Sequence, residues 1–306
     1  MAAVDRLCSA IRRDWRRHFF CISGYCVTAA ATVARARHQG PTEFMRRRAK
    51  RIYGPYWIAL AMAAVAYVVE YGMPQPFPSL WSVLGNLTLS ESWCPHFAGP
   101  PSELLVQQAW TLVHELQFYL ACGLLLLVPA RYFLAGVIVI CATTCLTAWA
   151  TDEGYVNASG LMIRGSWLAF APGSFAFYWL HGTKMERTVA ILGVAASVIG
   201  GIYAWRINEA IGAGCVMSRV LIALHPLDAR LDAMPQLKWL KRCGQISYSL
   251  YLTHTLVCGP IERWLVTNSG AQRVALNVTV CTLASLLVAW PFYLFFERPF
   301  MSESKT

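Results

Sequence analysis

Apolar residues arrive in long blocks separated by short polar stretches, from Phe19 to Phe296, and this pattern decides the fold class. Runs of about 18 or more apolar residues cross a bilayer, where a helix satisfies its own backbone hydrogen bonds. The blocks fall at 19–36, 53–72, 107–128, 132–150, 166–181, 188–205, 210–225, 245–266 and 274–296. A shorter one at 80–90 suits a half-helix or a surface helix. At ~1.5 Å per residue, 107–128 spans roughly 33 Å and can cross. The blocks 166–181 and 210–225 are marginal and suit burial inside a bundle. Only 14% of the 306 residues are charged and 57% are apolar, against ~25% charged in soluble domains. The expected fold is all-α, a polytopic transmembrane bundle of about nine membrane helices. A basic N-terminal segment (1–18), a single transmembrane domain (19–300) and a short C-terminal tail (301–306) are the expected divisions.

Loop charge predicts the orientation. The stretch 35–51, RARHQGPTEFMRRRAKR, holds seven Lys or Arg and belongs on the cytoplasmic side, whereas 73–106 holds none. Alternating onward, the inner loops carry Arg131, then Lys184 and Arg187, then Arg230, Lys238, Lys241 and Arg242. The outer ones carry only Arg164, Arg206 and Arg273. The first block disagrees, since a crossing at 19–36 puts Arg6, Arg12, Arg13, Arg16 and Arg17 outside. Either one helix before residue 19 is missing from this chain or 19–36 lies in the interface. The net charge of +10 reads as basic cytoplasmic loops, not a nucleic-acid surface, and such loops also meet anionic cosubstrates. Most of the eleven Cys lie within apolar blocks with no CxxC or Cys/His spacing, so neither a disulfide framework nor a metal site is expected.

Few residues can carry chemistry. Arg48 and Arg51 in FMRRRAKRIYGPYW are three apart, hence on one helical face. Such forks bind phosphate, or they are ordinary topogenic charge beside lipid headgroups. In WTLVHELQFYL, Glu115 falls eight residues into its block, roughly 12 Å along the axis. An ionised carboxylate there costs on the order of 3 kcal/mol unless it faces the bundle interior. Its own face carries Thr111, Leu112, Tyr119 and Cys122, and adjacent His114 points about 100° away. His254 lies near the middle of 245–266, on a helix also bearing Ser247, Ser249, Tyr251 and Thr253. It lines a polar path or serves as an interhelical hydrogen-bond donor. Glu297 beside Arg298 reads as structural, and Asn86 and Asn157 form NLT and NAS sequons on the outer side.

Four segments, in order, and one closing motif resemble one family. FFCISGYCVT is similar to the FFxISGYxIT segment of the acyltransferase-3 family of integral-membrane O-acyltransferases, and FMRRRAKRIYGPYW to its FxxRRxxRIxPxYW motif. WTLVHELQFYL resembles WSLxxEEQFYL, ISYSLYLTHTLV resembles ISYSLYLxHxPV, and FERPF resembles the closing ExP motif. The resemblance implies a bacterial inner-membrane enzyme that moves an acyl group, usually acetyl, from acetyl-CoA to a hydroxyl of an extracytoplasmic glycan, without a metal. It implies that Arg48 and Arg51 meet the CoA phosphates, that Glu115 is the first acid of the EEQ motif and that His254 is the late His. Membrane lipid, acyl-CoA and a glycan or lipid-linked saccharide are the implied partners.

Three departures stand out. Leu116 replaces the motif's second Glu, and Gly54 stands at the RIxP proline with Pro55 one position later. The family's first helix, with its basic residue and general-base His, has no counterpart before Phe19, and His18 does not occupy that position. Attack on a thioester needs a base and oxyanion donors; with the family's usual base without a counterpart here, only His254 or His114 could substitute for it. The rival expectations are a truncated, inactive family member and a transporter or flippase that makes no bonds.

Overall fold

The computed structural model describes residues 2–73, 78–90, 104–155, 166–203, 208–266 and 274–301. Within those helices, the side chains of 2–17, 148, 152, 166, 197–203, 208–213, 264–266 and 274–275 are left aside. Arg164, Arg206, Arg273, Asn157 and the tail 302–306 lie outside the described residues, as do the side chains of the N-terminal arginines. Among the described residues the chain is helical with no strand, an all-α polytopic bundle as the apolar blocks imply.

Each apolar block forms a helix. In chain order the helices are α1 (Ala2–Ala36), α2 (Pro41–Tyr71), the short α3 (Leu80–Thr88), α4 (Trp110–Leu125), α5 (Phe133–Asp152) and α6 (Ser166–His181). Then follow α7 (Lys184–Tyr203), α8 (Asn208–Leu224), α9 (Asp228–Ala233), α10 (Lys238–Gln245), α11 (Ser247–Val266) and α12 (Val274–Phe292). Four stretches among the described residues are long and apolar enough to cross a membrane on their own: His18–Ala36, Pro41–Tyr71, Ala130–Thr151 and Leu276–Phe300. The others are shorter or interrupted by polar residues, and length and composition alone do not make them spans. The basic segment 1–18 does not end at the block boundary but continues into α1. Its Ala, Arg, Leu and Ile residues favour helix, and neither Gly nor Pro occurs before Gly24.

The chain forms two compact units, Met1–Met45 with His114–Leu231, and Arg46–Val113 with Asp232–Thr306. In the first, α1 lies along α6 at backbone contact. A Cβ added at Gly24 would stand 2.0 Å from the Phe170 carbonyl oxygen, and one at Gly173 would stand 1.8 Å from that of Cys21. Small residues permit this approach, and packing plus interhelical hydrogen bonds drives association where lipid is as apolar as the side chains. Thr28 Oγ1 donates to Ser174 Oγ at 2.8 Å across the same seam. Cys21 Sγ reaches Gly214 O of α8 at 3.3 Å. Beside the seam, Phe118, Trp167 and Phe170 form a cluster of tilted and edge-on rings, with Phe118 and Phe170 centroids 4.1 Å apart. Arg35 Nη2 donates to Leu125 O and Val128 O, both at 2.8 Å, and so closes the C-terminal end of α4.

In the second unit, α11 and α12 pack as a pair, and α3 is tied to α2 by its C-terminal end. Tyr56 Oη donates to Asn86 O at 2.7 Å, Trp57 Nε1 to Leu87 O at 2.9 Å and Tyr53 Oη to Thr88 O at 2.7 Å. These are carbonyls that the end of a helix leaves without intrahelical donors. The residues of α2 that hold them precede Tyr71 by some fifteen positions, roughly 22 Å of helix. The 80–90 block is thus a half-helix tucked back along α2. Asn86 is buried, its Oδ1 accepting from Leu105 N at 2.9 Å, so the NLT sequon is a packing element here.

Candidate functional site

Arg48 and Arg51 lie on the first turns of α2, three residues apart, so the helix presents both guanidinium groups on one side. Arg48 is half-buried and Arg51 exposed. Among the described residues Arg51 forms no hydrogen bond or close ion pair, and Glu297 is within its electrostatic reach. Glu297 is 2% exposed and its Oε2 accepts from Ser249 N at 3.0 Å and from the Ser249 hydroxyl. Pro291 and a π-turn at Tyr293–Glu297 bring that acid inward at the end of α12. A carboxylate with two donors from the first turn of α11 ties the chain end to α11 while leaving the Arg51 fork uncommitted.

The same region accounts for the departure at Gly54. A Cβ there would lie 2.5 Å from the Phe300 ring, so the aromatic residue of FERPF covers the bare backbone of α2. Pro55, inside the helix, has no N–H for the Arg51 carbonyl. One residue on, Ile52 O accepts from Tyr248 Oη at 2.9 Å. Gly54 therefore serves close packing where a proline would serve a kink.

His254 sits on α11, five residues beyond Ser249, about 7.5 Å along the axis. Its Nδ1 contacts Leu250 O at 3.1 Å and Tyr251 O at 2.9 Å. Carbonyl oxygens only accept, so Nδ1 carries a proton, and whenever the ring is neutral its lone pair is on Nε2. Around it, Gln108 Nε2 donates to Tyr251 O at 3.2 Å and Leu252 O at 2.9 Å, and Thr255 Oγ1 donates to Gln108 Oε1 at 2.8 Å. Tyr251 Oη donates to Gln108 O and meets Thr111 Oγ1. Sequence reasoning passed over Gln108, although a glutamine two residues ahead of an intramembrane acid motif is itself a polar signal.

Glu115 belongs to the first unit and Arg48, Arg51 and His254 to the second. Glu115 is half-buried and accepts from Tyr119 Oη, the residue one turn on that shares its face. Tyr119 in turn meets Phe44 edge-on, with centroids 6.5 Å apart. His114, on the neighbouring face, lies 5.9 Å from the Phe20 ring. A cleft of about 170 Å³ in this unit is lined by Arg35, Tyr178, His181 and Glu186 among others. Its charges are committed, Arg35 to the α4 carbonyls and Glu186 Oε2 to Thr183 N and Oγ1 at 2.8 and 2.9 Å. Among the described residues no group of three or more His, Cys, Asp or Glu is placed to hold a metal.

Comparison with known proteins agrees with the motifs. An acyltransferase domain model matches residues 18–294. The chain is 25% identical over 301 residues to the exopolysaccharide production protein ExoZ of Rhizobium meliloti (strain 1021), covering 94% of this chain and 89% of that protein. It is 26% identical over 279 residues to nodulation protein 10 of Rhizobium leguminosarum bv. viciae, covering 78% and 70% respectively. No solved structure matches the chain.

Proposed function

The chain belongs to the acyltransferase-3 family and is a multi-pass membrane acyltransferase; from that premise we propose that it carries an acetyl or other short acyl group from acyl-CoA to a hydroxyl of an extracytoplasmic polysaccharide or lipid-linked glycan. The bacterial inner membrane is its place of action. A relative named for exopolysaccharide production supports the choice of acceptor. The observation that carries the reaction is His254, whose Nδ1 is held by main-chain carbonyls, leaving Nε2 as a base on a polar helix face.

The acceptor hydroxyl gives its proton to Nε2 as its oxygen bonds to the thioester carbonyl carbon. The tetrahedral intermediate then expels the CoA thiolate, which takes up that proton, and the ester remains on the glycan. Arg48 and Arg51 hold phosphates of the donor through paired N–H forks. Glu115 orients substrate through a carboxylate already fixed by Tyr119.

The test is transfer itself. Membranes containing the chain are given labelled acetyl-CoA and an exopolysaccharide stripped of its base-labile esters. Label should enter the polysaccharide and leave it on mild base treatment. His254→Gln and Glu115→Gln should each lower the rate by about 100-fold or more with membrane insertion intact. Absence of label with the unaltered chain overturns the reading, and full transfer by either variant removes that residue from the site.

A further inference from the structure

We propose that Gln108 is a positioning residue, clamping the turn of α11 that carries His254 and so fixing where Nε2 presents its lone pair. The proposal rests on His254 as the base. Gln108 sits in the 3₁₀ turn Gln107–Ala109, immediately ahead of α4, and its side chain reaches across to α11. Its amide can be oriented in one way only. Two carbonyl oxygens, Tyr251 O and Leu252 O, require the NH₂ group, and the Thr255 hydroxyl at 2.8 Å requires the oxygen. Its own main-chain carbonyl accepts from Tyr251 Oη. One residue thus engages 251, 252 and 255, the three positions that bracket His254.

Two features set this apart from an ordinary interhelical contact. Tyr251 O is a shared acceptor, taking Gln108 Nε2 at 3.2 Å and His254 Nδ1 at 2.9 Å. The carbonyl from which the imidazole hangs is therefore itself held from outside the helix. In addition, the clamp uses side-chain amide chemistry with both donor and acceptor, a pattern that no apolar residue of equal volume reproduces. A helix end or an aliphatic residue at 108 would allow α11 to rotate or slide, and displacements of about 1 Å at a reacting group cost roughly 100-fold.

The experiment uses the full chain in membranes or nanodiscs, with acetyl-CoA and the de-esterified exopolysaccharide as probes. Gln108→Met removes the three side-chain links at similar volume. It should lower kcat by about 10- to 100-fold while KM for acetyl-CoA stays within about twofold. Independently of transfer, diethylpyrocarbonate modification of His254, followed by mass spectrometry, should change in rate by about threefold or more. Gln108→Glu supplies a second arm. As pH falls, its carboxyl takes a proton and offers one acceptor and one O–H donor, restoring one of the two donor links of the amide, so its deficit relative to the unaltered chain should shrink toward acid pH.

An unchanged kcat together with an unchanged modification rate in Gln108→Met overturns the clamp. So does a Gln108→Glu deficit that is constant across pH, which also serves if Gln108→Met fails to fold. Full transfer by His254→Gln strikes instead at the base assignment, and the modification rate still reports whether Gln108 holds the ring.

Discussion

Replacing Gly173 by Ala tests the backbone contact on which the first unit is built. The new methyl would begin 1.8 Å from Cys21 O and 2.7 Å from Tyr25 N, whereas ordinary Cβ contacts start near 3.4 Å. Neither obstacle is a flexible side chain, so α1 and α6 must part locally by roughly 1.5 Å. A gap of 0.5–1 Å already forfeits about a quarter to a half of the dispersion well for each atom pair. The Thr28–Ser174 hydrogen bond, 2.8 Å long, would stretch beyond bonding range. Overpacking of about 1–3 kcal/mol, plus about 0.6–1.7 kcal/mol for an interhelical hydrogen bond, predicts a loss on the order of 2–5 kcal/mol. Unfolding in mixed micelles by added denaturing detergent measures it. Gly24→Ala, which meets Phe170 O at 2.0 Å, should cost a similar amount. The double variant should cost clearly less than the sum, because the first substitution has already opened the seam. Gly40→Ala, with nothing within 4 Å, is the control. A Gly173→Ala protein within about 0.5 kcal/mol of the unaltered chain, or strict additivity of the pair, refutes the close approach.

Further expectations follow the same geometry. Arg51→Ala should raise KM for acetyl-CoA several-fold with little change in kcat, measured by initial rates; an unchanged KM returns the cluster to a role in topology. Glu297→Ala leaves Ser249 N–H and its hydroxyl without their buried acceptor, so detergent unfolding should register a loss of about 2–4 kcal/mol; a neutral result denies the tie. Arg263→Met breaks the pair with Glu70, in which the two side chains are 52% and 34% exposed. The same unfolding assay should show a loss below about 1 kcal/mol, and a larger one contradicts that exposure.

The helices were legible because hydrophobic blocks are local, and lipid imposes helix on nearly any apolar segment long enough. The pairing of Glu115 with Tyr119 was likewise visible, since residues four apart share a face. What escaped the sequence depends on distant partners. Nothing near Gly24 announces Gly173, 149 positions later, yet the two let one pair of backbones touch. Gly54 reads as a departure from the motif until Phe300 is seen covering it. Asn86 reads as a surface sequon because the outer loop is polar, but it folds back into the second unit. The continuation of α1 through its basic segment escaped a hydropathy reading, because charge marks the membrane border and not the end of a helix. His254 was singled out by type and depth, whereas its contacts with main-chain carbonyls and the reach of Gln108 to the same turn needed coordinates.

The half-helix α3 bears on topology mapping. Its nine residues are too few to cross a bilayer, so α3 is held in place by its hydrogen bonds to α2 and not by spanning lipid. Three aromatic side chains, Tyr53, Tyr56 and Trp57, wait there with donors for its last carbonyls. A reporter fused after residue 88 would therefore record sidedness while remaining blind to depth.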